Sequence, residues 1–400
     1  MPLNPIDYEK KIYERGLKFE RPPITCDSTK WEELAKDRLS AESAGYVWGS
    51  AGTRETHDKN LSSFKKWSIV PNRLVKSPGL PDLTSEIFGE KLSFPLALAP
   101  VGVQTIFNPE GEVSTSSAAD DVGVPYILST ASATSIEKVA HANGDGKRWY
   151  QLYWPSNDHN DITISILKRA KAAGYNTLVV TLDTYLLGWR PSDMDNGYNP
   201  FLRNDSIGVE VGFSDPVFQK YFKEKYDVQI FEDVQKAASE WAGIIFPGTS
   251  HSWEDLKFLQ EHWHGPIVLK GIQSVADAQR CVDAKVQGIV VSNHGGRQQD
   301  GGVGSLTMLP KIYDAVKGQI NIIFDSGIRS GSDIVKALAL GADLVLIGRP
   351  YIYGLSLGGK EGVKHVLECL LGELELTLHL AGIPSISKDV LNQNILVYEG

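Results

Sequence analysis

Eight short apolar runs recur along the chain, at 96–100, 125–129, 148–153, 177–182, 266–271, 288–292, 321–325 and 344–348. They limit its fold more than any other feature. Each is too short for a stable helix and most are rich in Val, Ile, Leu or aromatic residues, so each reads as a strand. Between most of them lie stretches with helical spacing that close on a glycine. Ile164, Leu167, Ala170 and Lys171 precede Gly174, and Ile334, Leu338, Ala339 and Leu340 precede Gly341. Strand and helix alternating eight times, at intervals of about 22–33 residues, predict an α/β fold, a closed (β/α)8 TIM barrel. Strands that are apolar almost throughout fit a parallel sheet covered on its outer face.

One interval breaks the rhythm. From the fourth run to the fifth it is about 89 residues, and the excess, roughly 184–253, reads as a lid or binding loop inserted after the fourth strand. It carries turn formers (Pro191, Asn196-Gly197, Asn199-Pro200, Pro216) and a short helix opened by Asp215-Pro216-Val217-Phe218, but no long apolar stripe. The whole chain, 1–400, reads as one domain: an N-terminal helical extension over 1–90, a barrel over 91–381 and a tail over 382–400. In the extension Thr29 and Glu32 form a capping box for a helix bearing Trp31, Leu34 and Ala35, and a second helix lies near 41–44. After the eighth strand, 361–381 reads as one helix with Val363, Val366, Leu367, Leu370 and Leu374 on its inner side. The tail has no periodicity and reads as mobile or as an arm for a neighbouring subunit.

Composition excludes several classes. Net charge is −9 and the basic residues are scattered, so no nucleic-acid surface is expected. Cys26, Cys281 and Cys369 lie far apart and are odd in number, which fits a reducing compartment rather than a disulfide framework or a zinc site. There is no H-E-x-x-H, no carboxylate cluster for a metal and no G-x-G-x-x-G after an early strand. No window approaches the roughly 20 apolar residues of a membrane span, and the N-terminus lacks the apolar segment of a signal peptide. The expected location is the cytoplasm.

Polar residues gather where the carboxyl ends of the strands, the functional face of such a barrel, should lie. In strand order they are Pro100-Val101-Gly102, then Ser129, then Gln151 and Tyr153, then Thr181 and Asp183 with Arg190 beyond. Lys270 follows, then Ser292 and His294, then Asp325, and last Gly348-Arg349. His294 can act as a base near neutral pH, and Arg297, three residues on, can fork onto a carboxylate. A turn with a capping histidine is the plainer reading of His294-Gly295 alone. Buried polar residues at several strands at once, Lys270 and Gln151 above all, call instead for a bound polar ligand. The glycine-rich turns Asp325-Ser326-Gly327-Ile328-Arg329 and Gly348-Arg349 stand where such barrels seat a phosphate. A flavin mononucleotide fits. Its phosphate would lie at strands seven and eight, Gln151 and Thr181 would meet the ring's polar edge, and Lys270 would sit where reduction places negative charge.

Together these residues resemble the FMN-dependent α-hydroxy acid oxidase/dehydrogenase family. The resemblance runs from about Tyr46 to Gly354 and is strongest at Ser292-Asn293-His294-Gly295-Gly296-Arg297-Gln298, Val268-Leu269-Lys270-Gly271-Ile272 and Lys336-Ala337-Leu338-Ala339-Leu340-Gly341-Ala342. Gly188-Trp189-Arg190-Pro191-Ser192-Asp193, Asp215-Pro216-Val217-Phe218-Gln219-Lys220 and the long fourth loop are similar to the lactate 2-monooxygenase branch. Tyr185-Leu186-Leu187 departs from the Trp-containing sequence of that branch, which leaves substrate size open. The resemblance implies that His294 is the base, that Asp183 pairs with it, and that Arg190 and Arg297 bind the substrate carboxylate with help from Tyr46 and Tyr153. It implies that Lys270 stabilises reduced flavin. It assigns flavin contacts to Pro100, Val101, Gly102, Ser129, Gln151, Thr181, Lys270, Ser292, Asp325, Gly327, Arg329, Gly348 and Arg349. It implies a homotetramer or octamer that oxidises a small L-2-hydroxy acid with O2. L-Lactate would give acetate, CO2 and water if the keto acid is retained, or keto acid and H2O2 if it is released. Two other readings compete: a phosphate-binding barrel enzyme without flavin, and a flavin protein without turnover.

Overall fold

The computed structural model describes residues 4–77, 79–202 and 207–400. Eight parallel strands close into a barrel: β1 Leu96–Leu98, β2 Tyr126–Ser129, β3 Arg148–Tyr153, β4 Thr177–Thr181, β5 Ile267–Ile272, β6 Gly288–Val291, β7 Asn321–Phe324 and β8 Leu344–Ile347. Consecutive strands are neighbours and β8 pairs with β1, through Val345–Leu96, Leu346–Ala97 and Ile347–Leu98. The expected barrel is therefore present, with helices on its outer side. Those helices begin at side-chain caps that satisfy their first N–H groups. Ser135, Ser274 and Ser330 accept from Lys138, Asp277 and Asp333 respectively.

Alternation along each strand separates two cores. One set of side chains (Leu128, Leu152, Val180, Leu269, Val291, Phe324) faces the helices. The other fills the barrel: Ala97, Ala99, Ile127, Trp149, Val179, Val268, Val290, Ile323, Leu344 and Leu346. Burying each of the larger ones contributes roughly 1.5–3 kcal/mol. The bottom of this inner core is plugged by an antiparallel hairpin, Ser85–Ile87 with Glu90–Leu92. Its Ile87 and Leu92 join the inner cluster, and the Phe88 ring lies 5.7 Å from that of Trp149.

Four expectations change. The insertion after β4 contains the short helix expected at Asp215-Pro216 but is more ordered than a lid loop with that helix alone. It folds into helices Pro191–Asp195, Glu210–Phe213, Pro216–Tyr226 and Val234–Ile245 around their own core of Phe218, Phe222 and Trp241, all fully buried. Arg169, on the barrel helix Asn160–Ala172, fixes this unit by donating to Asp215 Oδ2 at 3.1 Å, to Val211 O at 2.9 Å and to Ser214 Oγ at 2.8 Å. The helix after β8 begins at Arg349 and runs to Leu380, with a break at Gly358-Gly359. The tail is not loose. Its residues Leu396–Tyr398 pair antiparallel with Trp67–Ile69 of the N-terminal extension. Near the start of the chain, the helix Trp31–Lys36 opens at Lys30 without a side-chain cap, and Asp27 caps the short turn Ser28–Lys30 before it, accepting from the Thr29 N–H at 3.1 Å.

Candidate active site

The site follows from strand geometry. Inner residues alternate, so the next inward position on each strand lies two residues further toward the carboxyl end. From Ile127, Trp149, Val179, Val268, Val290 and Ile323 that step gives Ser129, Gln151, Thr181, Lys270, Ser292 and Asp325. All six are buried. The barrel's apolar filling thus ends in a polar layer, and above it lies a cavity of about 1000 Å³ that is open to solvent. Pro100, Val101, Gly102, Tyr46, Tyr153, Arg190, Lys270, His294, Arg297, Asp325, Gly327, Arg329, Gly348 and Arg349 all line it. Ser129, Gln151, Thr181 and Ser292 stand in the polar layer below.

His294 sits just beyond β6, and the backbone there is forced. His294, Gly295 and Gly296 have φ of 60°, 66° and 73°, a left-handed run that a histidine adopts only under constraint. The constraints are visible. Ser292 Oγ accepts the His294 N–H at 3.1 Å, and Asn293 and Asn60 exchange side-chain amide bonds at 2.7 and 2.8 Å. His294 Nδ1 lies 2.8 Å from Asp183 Oδ1. Gly271 permits that approach, for a Cβ there would meet the Asp183 Cβ at 3.1 Å. Burial opposes ionisation of Asp183, but the charges of His294 and Lys270 outweigh it and hold the carboxyl well below its usual range. An ionised carboxylate only accepts, so Nδ1 carries the ring proton and Nε2 the lone pair. Burial lowers the His294 pKa below its ordinary 6.5, and the Lys270 charge adds to this against the pull of Asp183. The imidazole is neutral at pH 7.

Two arginines approach the same end of the cavity. Arg190 is 4 % exposed and donates from Nε to the Arg297 carbonyl at 3.0 Å. Arg297 stacks over the Tyr46 ring at 4.9 Å and donates from Nη1 to Tyr46 O at 2.5 Å and Gly49 O at 2.6 Å. Burial and the neighbouring Arg190 charge push the Arg297 pKa down to about 10. Two crowded, desolvated cations need an anion. Tyr153 beside Phe246 (ring centroids 5.0 Å apart), Phe201 and Leu187 wall the space in front of them.

The flavin seat has donors of the right kind. Gln151 Oε1 accepts from the Ser129 hydroxyl at 2.9 Å, yet its buried Nε2 has no partner among the described residues. The Lys270 ammonium lies 3.9 Å from Asp183 and 3.8 Å from Asp325, too far for a hydrogen bond to either. Both groups await an acceptor from a ligand. At the other end Gly348 caps the long helix with no side chain over its first N–H groups, an open anion seat beside Arg329. Arg349 also lines the cavity, and its guanidinium donates to Val47 O at 2.9 Å, Gly295 O at 3.0 Å and Gly49 O at 3.2 Å. It ties the extension to the β6 loop, and burial together with Arg297 lowers its pKa to about 9.

Sequence reasoning missed several participants. Thr184 donates to Asp183 Oδ1 at 2.8 Å, and Ser326 Oγ accepts from Gly295 N at 3.0 Å while donating to Asp325 at 2.8 Å. Each adjoins a residue the sequence did single out, which was the available signal. Phe201 and Phe246 gave none, since only the folding of the insertion brings them to the cavity. One cluster of metal-ligand type occurs among the described residues, Cys26, His365 and Cys369, with ligand atoms within 4.8 Å of one another. Its imidazole is already occupied: Nε2 faces the acceptor-only Thr25 O at 2.9 Å, and Nδ1 faces the Tyr8 hydroxyl at 2.5 Å. It lies outside the cavity.

Comparison with known proteins agrees with this geometry. The model of the FMN-dependent dehydrogenase family matches residues 35–396. An FMN-dependent alpha-hydroxy acid dehydrogenase of Schizosaccharomyces pombe is 66% identical over 395 residues, covering 99% of this chain and 97% of that protein. An L-lactate oxidase of Lysinibacillus sphaericus is 40% identical, covering 89% of each chain. A crystal structure of mandelate oxidase superposes with a TM-score of 0.79 at 35% identity, covering 91% of this chain and 96% of that one. The chain belongs to the FMN-dependent dehydrogenase family and is an FMN-dependent α-hydroxy acid oxidoreductase.

Proposed function

We propose that the protein oxidises a small L-2-hydroxy acid, L-lactate in the first instance, with O2, and that it holds the keto acid long enough to decarboxylate it. The observation that carries this reading is the opening of a neutral imidazole–carboxylate pair and a pair of arginines onto one cavity. The substrate carboxylate binds across Arg190 and Arg297, whose named bonds leave part of each donor fork free. Tyr46 and Tyr153 border that position. His294 Nε2 then takes a substrate proton, and the resulting imidazolium is stabilised by Asp183 through Nδ1–H. FMN, held above Gln151 and Lys270 with its phosphate toward Gly348 and Arg329, would supply the two-electron redox chemistry, with O2 as the final oxidant and H2O2 as its reduced product. Lys270 supplies positive charge beneath the seat, and Gln151 Nε2 supplies a donor to it.

The walls Leu187, Phe201, Phe246 and Tyr153 leave the substrate side chain an apolar surround, which suits a methyl group. Three of these residues belong to the insertion and its packed unit. Pyruvate kept behind such a wall meets the peroxide formed beside it. Peroxide adds to the keto carbon, the C1–C2 and O–O bonds break, and acetate, CO2 and water form. The sum is lactate plus O2 to acetate, CO2 and H2O. A second reading is simple release of keto acid and H2O2, favoured by the 40% identity to a protein named L-lactate oxidase.

Product analysis with L-lactate in air, catalase present, tests the choice. Acetate with CO2 supports retention; pyruvate alone overturns it in favour of the oxidase. No anaerobic bleaching of the flavin by any 2-hydroxy acid would overturn both. Assembly as a homotetramer or octamer in a reducing compartment belongs to the same proposal, resting on the resemblance and on three free thiols. Light scattering of the holoenzyme tests the assembly. Among the described residues, no helix is long and apolar enough to cross a membrane.

A further inference from the structure

Gln298 stands at the end of the β6 motif with no role assigned by any of the chemistry above, yet both ends of its side-chain amide are fully engaged. Its Oε1 accepts from Arg190 Nη2 at 2.6 Å and from Gly188 N at 3.2 Å. Its Nε2 donates to Leu186 O at 2.8 Å and to Asp183 O at 3.1 Å. The first two partners can only donate and the last two can only accept, so the amide has one orientation. All four partners lie within the stretch 183–190. That stretch begins at the carboxylate that holds His294 and ends at the arginine proposed for the substrate. The backbones fit just as closely, since a Cβ on Gly188 would lie 2.5 Å from Arg297 O and 2.6 Å from Gln298 O.

We infer that Gln298 is a positioning residue with two separable tasks: Oε1 aims the Arg190 guanidinium at the substrate carboxylate, and Nε2 latches the first turn of the lid shut. The inference deepens the proposed function and rests on it only for the link between latch and product. Among the described residues, the other groups near the Arg190 guanidinium are Arg297 O, which takes Nε, and Asp193 Oδ2, 3.9 Å from Nη1. Without Oε1 the guanidinium keeps one anchor and can pivot about it. Without Nε2 two backbone carbonyls, 183 and 186, lose their donor at the hinge where the insertion leaves β4.

Two variants separate the tasks. Gln298→Leu removes both ends. Gln298→Glu keeps one acceptor oxygen toward Arg190 and Gly188 but sets the other carboxylate oxygen against the carbonyls of 183 and 186. In the FMN-loaded enzyme, Gln298→Leu should weaken binding of oxalate, a non-reacting dicarboxylate, and raise KM by about tenfold or more, the loss expected for one charge-assisted hydrogen bond. Gln298→Glu should leave KM within about threefold of the parent while oxalate dissociates several-fold faster. The exposed neighbour varied as Gln299→Leu serves as the control. Oxalate affinity and off-rate at parental values in both Gln298 variants would overturn the inference, as would equal losses in both. If Gln298→Leu does not fold, the Gln298→Glu off-rate still decides. Where the parent makes acetate, Gln298→Glu should shift product toward pyruvate. Where the parent makes only pyruvate, the decarboxylation reading fails, and the oxalate measurements judge Gln298 on their own.

Discussion

Replacing Asp183 by Asn tests the electrostatic core of the site with little change of shape. The carboxylate lies 2.8 Å from His294 Nδ1, and both are partly buried. Once His294 takes a proton, two opposite charges face each other across about 4 Å, worth ~4 kcal/mol at an effective dielectric of 20. The lost charge-assisted hydrogen bond by itself accounts for ~1.5–3 kcal/mol. These figures bracket a fall of about tenfold to a thousandfold in the rate of substrate oxidation. KM should change little, because Asp183 does not face the carboxylate clamp. The assay is anaerobic stopped-flow bleaching of the FMN-loaded enzyme by L-lactate, with flavin content measured in parallel. The pH dependence adds an independent check. Asp183 raises the His294 pKa against the larger effect of burial, so its loss should move the acid limb of kcat/KM to lower pH. A variant that bleaches within twofold of the parent rate would refute the claim that the imidazolium needs this charge.

Lys270→Met should move the same acid limb the opposite way, because the Lys270 charge helps lower the His294 pKa; an unmoved or lowered limb in the pH profile would contradict the geometry. Arg190→Lys cannot reproduce the bonds from Nε to Arg297 O and from Nη2 to Gln298, and should cost ~1.5–3 kcal/mol in kcat/KM; unchanged kinetics would exclude the clamp. His57 governs a stability window. Burial and the charge of Arg349 push its pKa down to about 4 from 6.5. Between those values the unfolded chain binds more protons than the folded one, so stability is complete above pH 6.5 and falls by up to about 3 kcal/mol as pH drops toward 4. Denaturant titrations across that range should give a shallower slope for His57→Gln, and equal slopes would discount the assignment.

The barrel was legible because its signal is local. Eight apolar runs at even spacing specify strands, and a polar residue two positions past the last inward apolar one marks each strand mouth. The polar residues that close those runs, Gln151, Thr181, Lys270, Ser292 and Asp325, are visible without coordinates, and the packing shows that they share the inner face. His294, Arg297 and Asp183 were legible for a similar reason, since each follows a strand end closely. Of the insertion only the helix opened by Asp215-Pro216 was legible, and it forms as Pro216–Tyr226. The other helices give no such signal, and the unit's core of Phe218, Phe222 and Trp241 forms only when they pack together. Phe201, Phe246 and Leu187 reach the cavity through that assembly. The tail likewise lacks periodicity because a strand of three residues takes its pairing from a partner over three hundred positions away.

The amino-acid order alone therefore settled the strand count, the closed parallel sheet and the residue types at its mouth, since periodicity and chain direction are properties of neighbours. Tertiary structure alone decided how the charges are used. It gave the Arg349 guanidinium three backbone carbonyls to tie together, and it fixed the tautomer of His294. It also gave Gln298 its four partners. Hydrogen-bond partnership depends on distances between segments far apart in the chain, and no local pattern encodes those distances.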